Sequence, residues 1–99
     1  MAWLRWSGPA RSDLACIEDF YATRDPDRDP EFAVRAIDAA LDAAEFLLDR
    51  PRAGPTFTDG ALRKWRVPAT PLLLVYRVEP DGILIARVQH NRSDWQSLP

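Results

Sequence analysis

The sequence predicts an α+β domain in the order β-α-α-β-β-β, with a helical hairpin packed on a small, mainly antiparallel sheet. Three observations predict it: a short alternating segment at the start, two helical apolar stripes separated by a proline-rich break, and a later part in which the periodicity becomes that of strands. No internal repeat, low-complexity tract or linker interrupts this order. A chain of 99 residues has room for one modest core, so residues 1–99 are expected to form a single domain.

Ala2 to Trp6 alternates, with Trp3 and Arg5 on one side and Ala2, Leu4 and Trp6 on the other, as a half-buried strand does. Ser7 as N-cap, followed by Pro9 in a first turn where its missing N–H costs little, starts a helix that runs to about Thr23. Leu14, Ile17 and Tyr21 recur at three- and four-residue steps and Ala10 extends the stripe backward, while Asp13, Glu18 and Asp19 lie off it. The segment from Arg24 to Pro30 breaks the helix, because each proline disfavours α geometry in the residue before it. Asp29 as N-cap and Pro30 at the first helical position restart it.

The second helix, Pro30 to about Leu48, sets Ala33, Ile37, Ala40, Leu41, Ala44 and Leu48 on one face, and Ala36, Ala39 and Ala43 allow the first helix to come close. Pro51 and the Gly54-Pro55 pair end it. Leu62 to Val67 then alternates as a strand, with Leu62, Lys64 and Arg66 on one face and Arg63, Trp65 and Val67 on the other. Leu72 to Val78 is a nearly continuous apolar run, as expected of a central strand covered on both faces. Glu79-Pro80-Asp81-Gly82 is a turn, and Ile83 to Gln89 pairs back.

Composition excludes several classes. With 46% hydrophobic and 28% charged residues the chain is expected to fold. No run approaches the about 18 apolar residues that span a bilayer, and Arg5, Ser7 and Gly8 interrupt any secretory leader, so a cytoplasmic protein with no membrane association is expected. The lone Cys16 fits a reducing compartment, and inside a helix beside Ile17 it reads as packing. A net charge of −2 argues against a general nucleic-acid binder. The charge is uneven: residues 1–55 hold seven arginines against eleven carboxylates, or −4, whereas residues 56–99 hold six cations against four carboxylates, or +2. An anionic partner should therefore meet the later part of the chain. Asp25, Asp27 and Asp29 alternate like calcium ligands, but Pro30 stands where the loop glycine belongs and Ala36 where the bidentate glutamate belongs; no metal and no cofactor is expected.

The stretches Arg63-Lys64-Trp65-Arg66-Val67, Thr70-Pro71-Leu72-Leu73-Leu74-Val75-Tyr76-Arg77-Val78 and Asp81-Gly82-Ile83-Leu84-Ile85-Ala86-Arg87-Val88-Gln89-His90-Asn91-Arg92 resemble toxins of the ParE/RelE superfamily. With the Ala10 to Ile17 helix and the Pro51 to Pro55 break, the likeness covers nearly the whole chain. It implies a bacterial growth inhibitor, of the kind linked to plasmid stabilization, that is silenced by a co-expressed antitoxin. The ParE branch acts on DNA gyrase; the RelE branch cleaves mRNA on the ribosome with basic residues of the sheet. Lys64, Arg66 and Arg92 match RelE-type basic positions, but the arginine expected at the start of the next strand falls at Leu73, which cannot hold a phosphate. Tyr76-Arg77 and the ending from Arg87 to Arg92 look more like the ParE branch.

The resemblance thus implies a gyrase-inhibiting toxin with a ParD-like antitoxin and no direct DNA binding of its own. Arg63, Lys64, Arg66, Tyr76, Arg77, Arg87, Arg92 and Trp95 are the candidates for target contact, and Leu14, Ile17, Tyr21, Ile37 and Leu41 for antitoxin contact. The alternatives are a RelE-like endoribonuclease using Lys64, Arg66, His90 and Arg92, and a non-toxic relic that still binds its antitoxin. Two residues carry a bland reading beside the functional one. His90 has the pKa of a general base, yet a lone histidine at a strand end is more often simply hydrogen-bonded. Trp65 has the ring to stack on a base, yet it shares a face with Val67 and reads as core.

Overall fold

The computed structural model describes residues 2–23, 31–56 and 60–90. Six elements follow in the expected order: β1 (Trp3–Trp6), α1 (Gly8–Thr23), α2 (Phe32–Asp49), β2 (Arg63–Arg66), β3 (Leu72–Glu79) and β4 (Gly82–His90). The strands form one sheet, ordered β1-β4-β3-β2, parallel between β1 and β4 and antiparallel elsewhere. Ladder bonds rather than side-chain alternation set the strand ends. Ala2, Leu62 and Val67 therefore drop out of the expected strands, while β4 gains Gly82, which pairs with both Glu79 and Trp3, and His90, which pairs with Leu72. A side chain at Gly82 would run into the Trp3 carbonyl and indole, so the close approach of β1 requires glycine there.

α1 begins as its sequence dictates. The Ser7 hydroxyl accepts the Ala10 N–H at 3.0 Å, which caps the helix, and donates to the Ala86 carbonyl at 2.7 Å, which ties that cap to β4. The Ser7 N–H donates to Ile85 O at 2.9 Å and extends the β1–β4 ladder by one step. Beyond that point β4 has no strand on this edge among the described residues, since its pairing with β1 ends at Ile85. Asp13 takes over: its carboxylate accepts the Val88 N–H at 2.8 Å and a forked pair of bonds from Arg87, Nε at 2.8 Å and Nη2 at 3.0 Å. The ionic hydrogen bonds to Asp13 raise the Arg87 pKa above its ordinary value. Asp13, which lies off the apolar stripe, is thus an edge cap for the sheet.

The core lies between the helices and one face of the sheet. Ala10, Ile17 and Tyr21 of α1 are buried in it as the stripe predicts, with Leu14 and Phe20 packed at its margin. The α2 stripe is rotated from its expected position. Ala33, Ala36, Ala40, Ala43, Ala44 and Leu47 are buried, whereas Leu41 is 39% exposed and Ile37 and Leu48 are half-buried. Small side chains let the helix backbone approach the sheet, so the row of alanines turns inward and the bulkier residues are left on the flank. Glu31 occupies the N-cap position of α2 and makes no side-chain cap bond. The cap expected at Asp29-Pro30 lies outside the described residues. Cys16 is exposed rather than packed.

Between β2 and β3 the Thr70 N–H donates to Val67 O at 3.3 Å, and Ala69 between them has φ 62°, as in a type II turn with Pro68 at its second position. The left-handed region costs a β-carbon about 1 kcal/mol. Ala69→Gly should therefore raise the unfolding free energy by about 0.5–1 kcal/mol in urea titration. Asp13→Ala, which strands the Val88 N–H and Arg87 together, should lower it by about 1.5–3 kcal/mol in the same measurement.

Candidate functional site

The register of the sheet decides which of the basic residues meet. Lys64 pairs with Val75 and Val75 with Arg87; Arg66 pairs with Leu73 and Leu73 with Gln89; Arg77 pairs with Leu84 and Leu84 with Arg5. Residues directly opposite in a ladder share a face. Arg5, Lys64, Arg66, Arg77 and Arg87 therefore all lie on the sheet face turned away from the helices. One irregularity makes this possible: Val75 pairs with Arg87 and Tyr76 with Ile85, so Ala86 bulges out of the ladder. The bulge resets the alternation of β4, keeping Ile83, Ile85, Val88 and His90 toward the helices and Arg87 and Gln89 away from them.

The cations on that face are held differently. Arg87 is engaged by Asp13, Arg77 pairs with Glu79 at 2.9 Å in an exposed position, and Arg5 lies 4.9 Å over the Trp3 ring. Arg66 is exposed at the edge of the sheet. Leu73 is half-buried between Arg66 and Gln89, where the RelE-type pattern would place a cation. Gln89 is 6% exposed and its side-chain Nε2 has no hydrogen-bond partner among the described residues.

The other expected residues are elsewhere. Tyr76 is fully buried on the helix side, where its hydroxyl donates to Pro51 O at 2.7 Å and accepts the Gly54 N–H at 3.1 Å. Arg63, paired with Tyr76, donates from Nη1 to Gly54 O at 2.7 Å. A β-carbon on Gly54 would collide with the Lys64 carbonyl and the Tyr76 hydroxyl, so the loop after α2 closes down on these two residues. Tyr76 and Arg63 hold that loop in place, and Tyr76 is buried too deeply to meet a target. His90 also faces the helices: its Nε2 shares a 2.6 Å hydrogen bond with the Tyr21 hydroxyl, and its ring packs 5.4 Å from Phe20. Arg92 and Trp95 lie outside the described residues.

Of the residues expected to meet an antitoxin, Ile17 and Tyr21 are core, Leu14 and Ile37 are half-buried, and Leu41 is exposed. A more open apolar surface lies on the opposite flank of α2, where Phe46 stacks on Trp65 at 5.3 Å with the rings inclined by 26°. Ala39, Asp42, Ala43 and Pro68 complete a groove of about 370 Å³ around that stack. Sequence reasoning passed over Phe46 because it falls outside the inward stripe; the available signal was an aromatic residue left without a place in the core.

The ParE toxin family of type II toxin–antitoxin systems matches the chain over residues 4–95. No curated protein matches it. Among solved structures, a chain of the chromosomal ParDE toxin–antitoxin system from P. aeruginosa is similar at a TM-score of 0.76 and 25% identity, over 91% of this chain and 96% of that one. A chain of the RelBE2 toxin–antitoxin complex from Mycobacterium tuberculosis shares the fold at a TM-score of 0.57 and 19% identity, over 90% of this chain and 96% of that one.

Burial raises the Tyr76 pKa above the ordinary tyrosine value, although its bond with Gly54 and the charge of Arg63 pull it back. A raised folded-state pKa gives stability that is complete below about pH 10 and is lost as pH climbs through the folded value. Tyr76→Phe, which leaves the Gly54 N–H and Pro51 carbonyl unpaired, should cost about 1–3 kcal/mol at neutral pH. It should also flatten the alkaline fall in melting temperature seen with the unaltered chain.

Proposed function

The chain belongs to the ParE toxin family of type II toxin–antitoxin systems, and from that premise we propose that it halts growth by binding DNA gyrase in the cytoplasm, without cutting RNA, until a ParD-like antitoxin occupies it. The observation that carries this reading is the division of basic and histidine residues between the two faces of the sheet. Lys64 and Arg66 are on the outer face and His90 is on the helix face, hydrogen-bonded to Tyr21. A general base must come within hydrogen-bond reach of the hydroxyl that it activates, beside the cations that steady the phosphate. Here the sheet itself stands between them.

Two further features support binding over cleavage. Leu73 puts an aliphatic side chain in the centre of the outer face, and Arg87 is committed to Asp13. Arg66 stays exposed on that face beside the Arg77–Glu79 pair, a shallow surface suited to an acidic patch on a protein target. The antitoxin partner is supported by the similarity to chains of the P. aeruginosa ParDE and Mycobacterium tuberculosis RelBE2 systems.

Purified protein should inhibit gyrase supercoiling and leave mRNA intact in a translating extract. Arg66→Glu, at an exposed position, should weaken gyrase inhibition by roughly tenfold, the equivalent of about 1.4 kcal/mol, with an unchanged melting temperature. Cleaved mRNA, or supercoiling that proceeds normally at saturating protein, would overturn the proposal.

A further inference from the structure

The outer face of the sheet holds one polar group with an unmet demand. Gln89 is 6% exposed, and its Nε2 has no hydrogen-bond partner among the described residues. An amide nitrogen withdrawn from water without an acceptor is costly, and such a group in a folded protein calls for an explanation. The ladder sets its place on the face: Gln89 lies opposite Leu73, and Leu73 opposite Arg66. The row therefore runs donor, leucine, cation across three strands, with about 10 Å between the two outer backbones at the ordinary strand spacing.

The arginines around this row are engaged. Arg87 is forked onto Asp13, Arg77 pairs with Glu79, and Arg5 lies over the Trp3 ring. Arg66, by contrast, is exposed and forms no ion pair among the described residues. Leu73 between Arg66 and Gln89 is half-buried and brings neither charge nor side-chain hydrogen bond, so it is an apolar floor flanked by a guanidinium and an amide N–H. One cation and one neutral donor match a group with a single negative charge and two acceptor oxygens. A nucleic-acid backbone asks for a row of cations instead, because its affinity grows with each phosphate neutralised.

We infer that Arg66 and Gln89 form a seat for one carboxylate of an acidic protein target, with Leu73 as its floor. The inference rests on the target-binding reading above and names the side chain that discriminates. The Arg66 guanidinium attracts any anion from solution. The Gln89 amide, shielded from water, counts only for an oxygen brought within hydrogen-bond distance over Leu73. No bond to water is given up when that oxygen arrives, so the contact is stronger than the same bond made by a solvated amide. Gln89 is thus a specificity-determining residue, and its unmet donor in the free chain is stability forgone for recognition.

Gln89→Leu removes the donor and keeps the charge of the chain, so it tests the seat without altering electrostatic attraction. Its melting temperature should rise by about 4–8 °C as the unmet donor disappears, while the concentration that half-inhibits gyrase supercoiling should rise about tenfold. Gln89→Met, closer to the amide in shape, should give the same pair of changes and guards against a packing fault in the leucine variant. Arg66→Leu should weaken inhibition as well, and the double variant with Gln89→Leu should lose less than the product of the two single effects, because both residues act on one carboxylate. A melting temperature that falls in both Gln89 variants, inhibition unchanged in them, or fully multiplicative effects would refute the seat. A second arm needs no gyrase: hexaglutamate titrated onto the isotope-labelled full chain should shift the NMR signal of the Gln89 side-chain amide, which its absence in Gln89→Leu distinguishes from that of Gln96. The shift should vanish in Arg66→Leu, and inorganic phosphate at matched ionic strength should not produce it. A hexaglutamate shift in a chain that fails to inhibit gyrase supports the carboxylate seat and removes gyrase as its target; gyrase inhibition with no such shift refutes the seat and leaves the gyrase reading standing. An equal shift with phosphate would open the seat to anions at large, a nucleic-acid backbone among them, and refute the carboxylate.

Discussion

The sheet depends on how β4 is held beyond the end of β1. A strand edge presents unpaired N–H and C=O groups, and an unsatisfied group in a half-buried position costs about as much as a hydrogen bond is worth. Here α1 and the residue that caps it supply the missing partners from two side chains. Ser7 takes the Ala86 carbonyl and Asp13 takes the Val88 N–H, and between them β4 bulges. Because the bulge fixes which side chains point to which face, Ser7 and Asp13 also settle where Arg87, Gln89 and His90 are directed. A packing decision at the helix start thus becomes a chemical decision at the far end of the sheet.

That arrangement clarifies what kind of toxin the chain can be. Ribonuclease chemistry needs a base, a nucleophile and phosphate-binding cations in one place. The fold distributes these residue types between two surfaces: an outer face with cations and no histidine, and an inner face where His90 belongs to an aromatic cluster with Phe20 and Tyr21. Tyr76 and Arg63 stand next in sequence to the outer residues, yet they serve the loop after α2. Among the described residues, those left for recognition on the outer face are few and superficial, and the apolar groove along α2 is physically separate from them.

Much of the fold was legible because the relevant signals are local. The α1 stripe, the Ser7 cap, the alternation in β1 and the turn before β4 each rest on a few neighbouring residues whose preferences agree with the final structure. The α2 stripe was misjudged since alanine carries little directional information: two adjacent faces were both apolar, and the sheet selected the one with smaller side chains. The bulge at Ala86 left no mark in the sequence because an extra residue in a ladder is defined only against its partner strand. Asp13 looked like a solvated carboxylate, and its role depends on a backbone N–H seventy-five positions away. The candidate site was less legible than the fold for the same reason. Spacing of two placed Lys64 and Arg66 together correctly, but nothing local says that His90 would face the other way.

The parallel pairing of β1 with β4 has a temporal meaning. Ser7 and Ala86, which close the structure, are 79 positions apart, and the strands that fill the space between β1 and β2 in the sheet come last in the chain. During synthesis at about 5–20 residues per second, β1 and the helices must wait several seconds before their partner emerges. The hairpin alone has no sheet to cover its alanine face, and β2 has no neighbour until β3 arrives. A ribosome still occupied with this message therefore carries an incomplete core, and the finished surface appears abruptly once β4 is free. For a member of a toxin family, the architecture itself imposes a delay between translation and a finished surface.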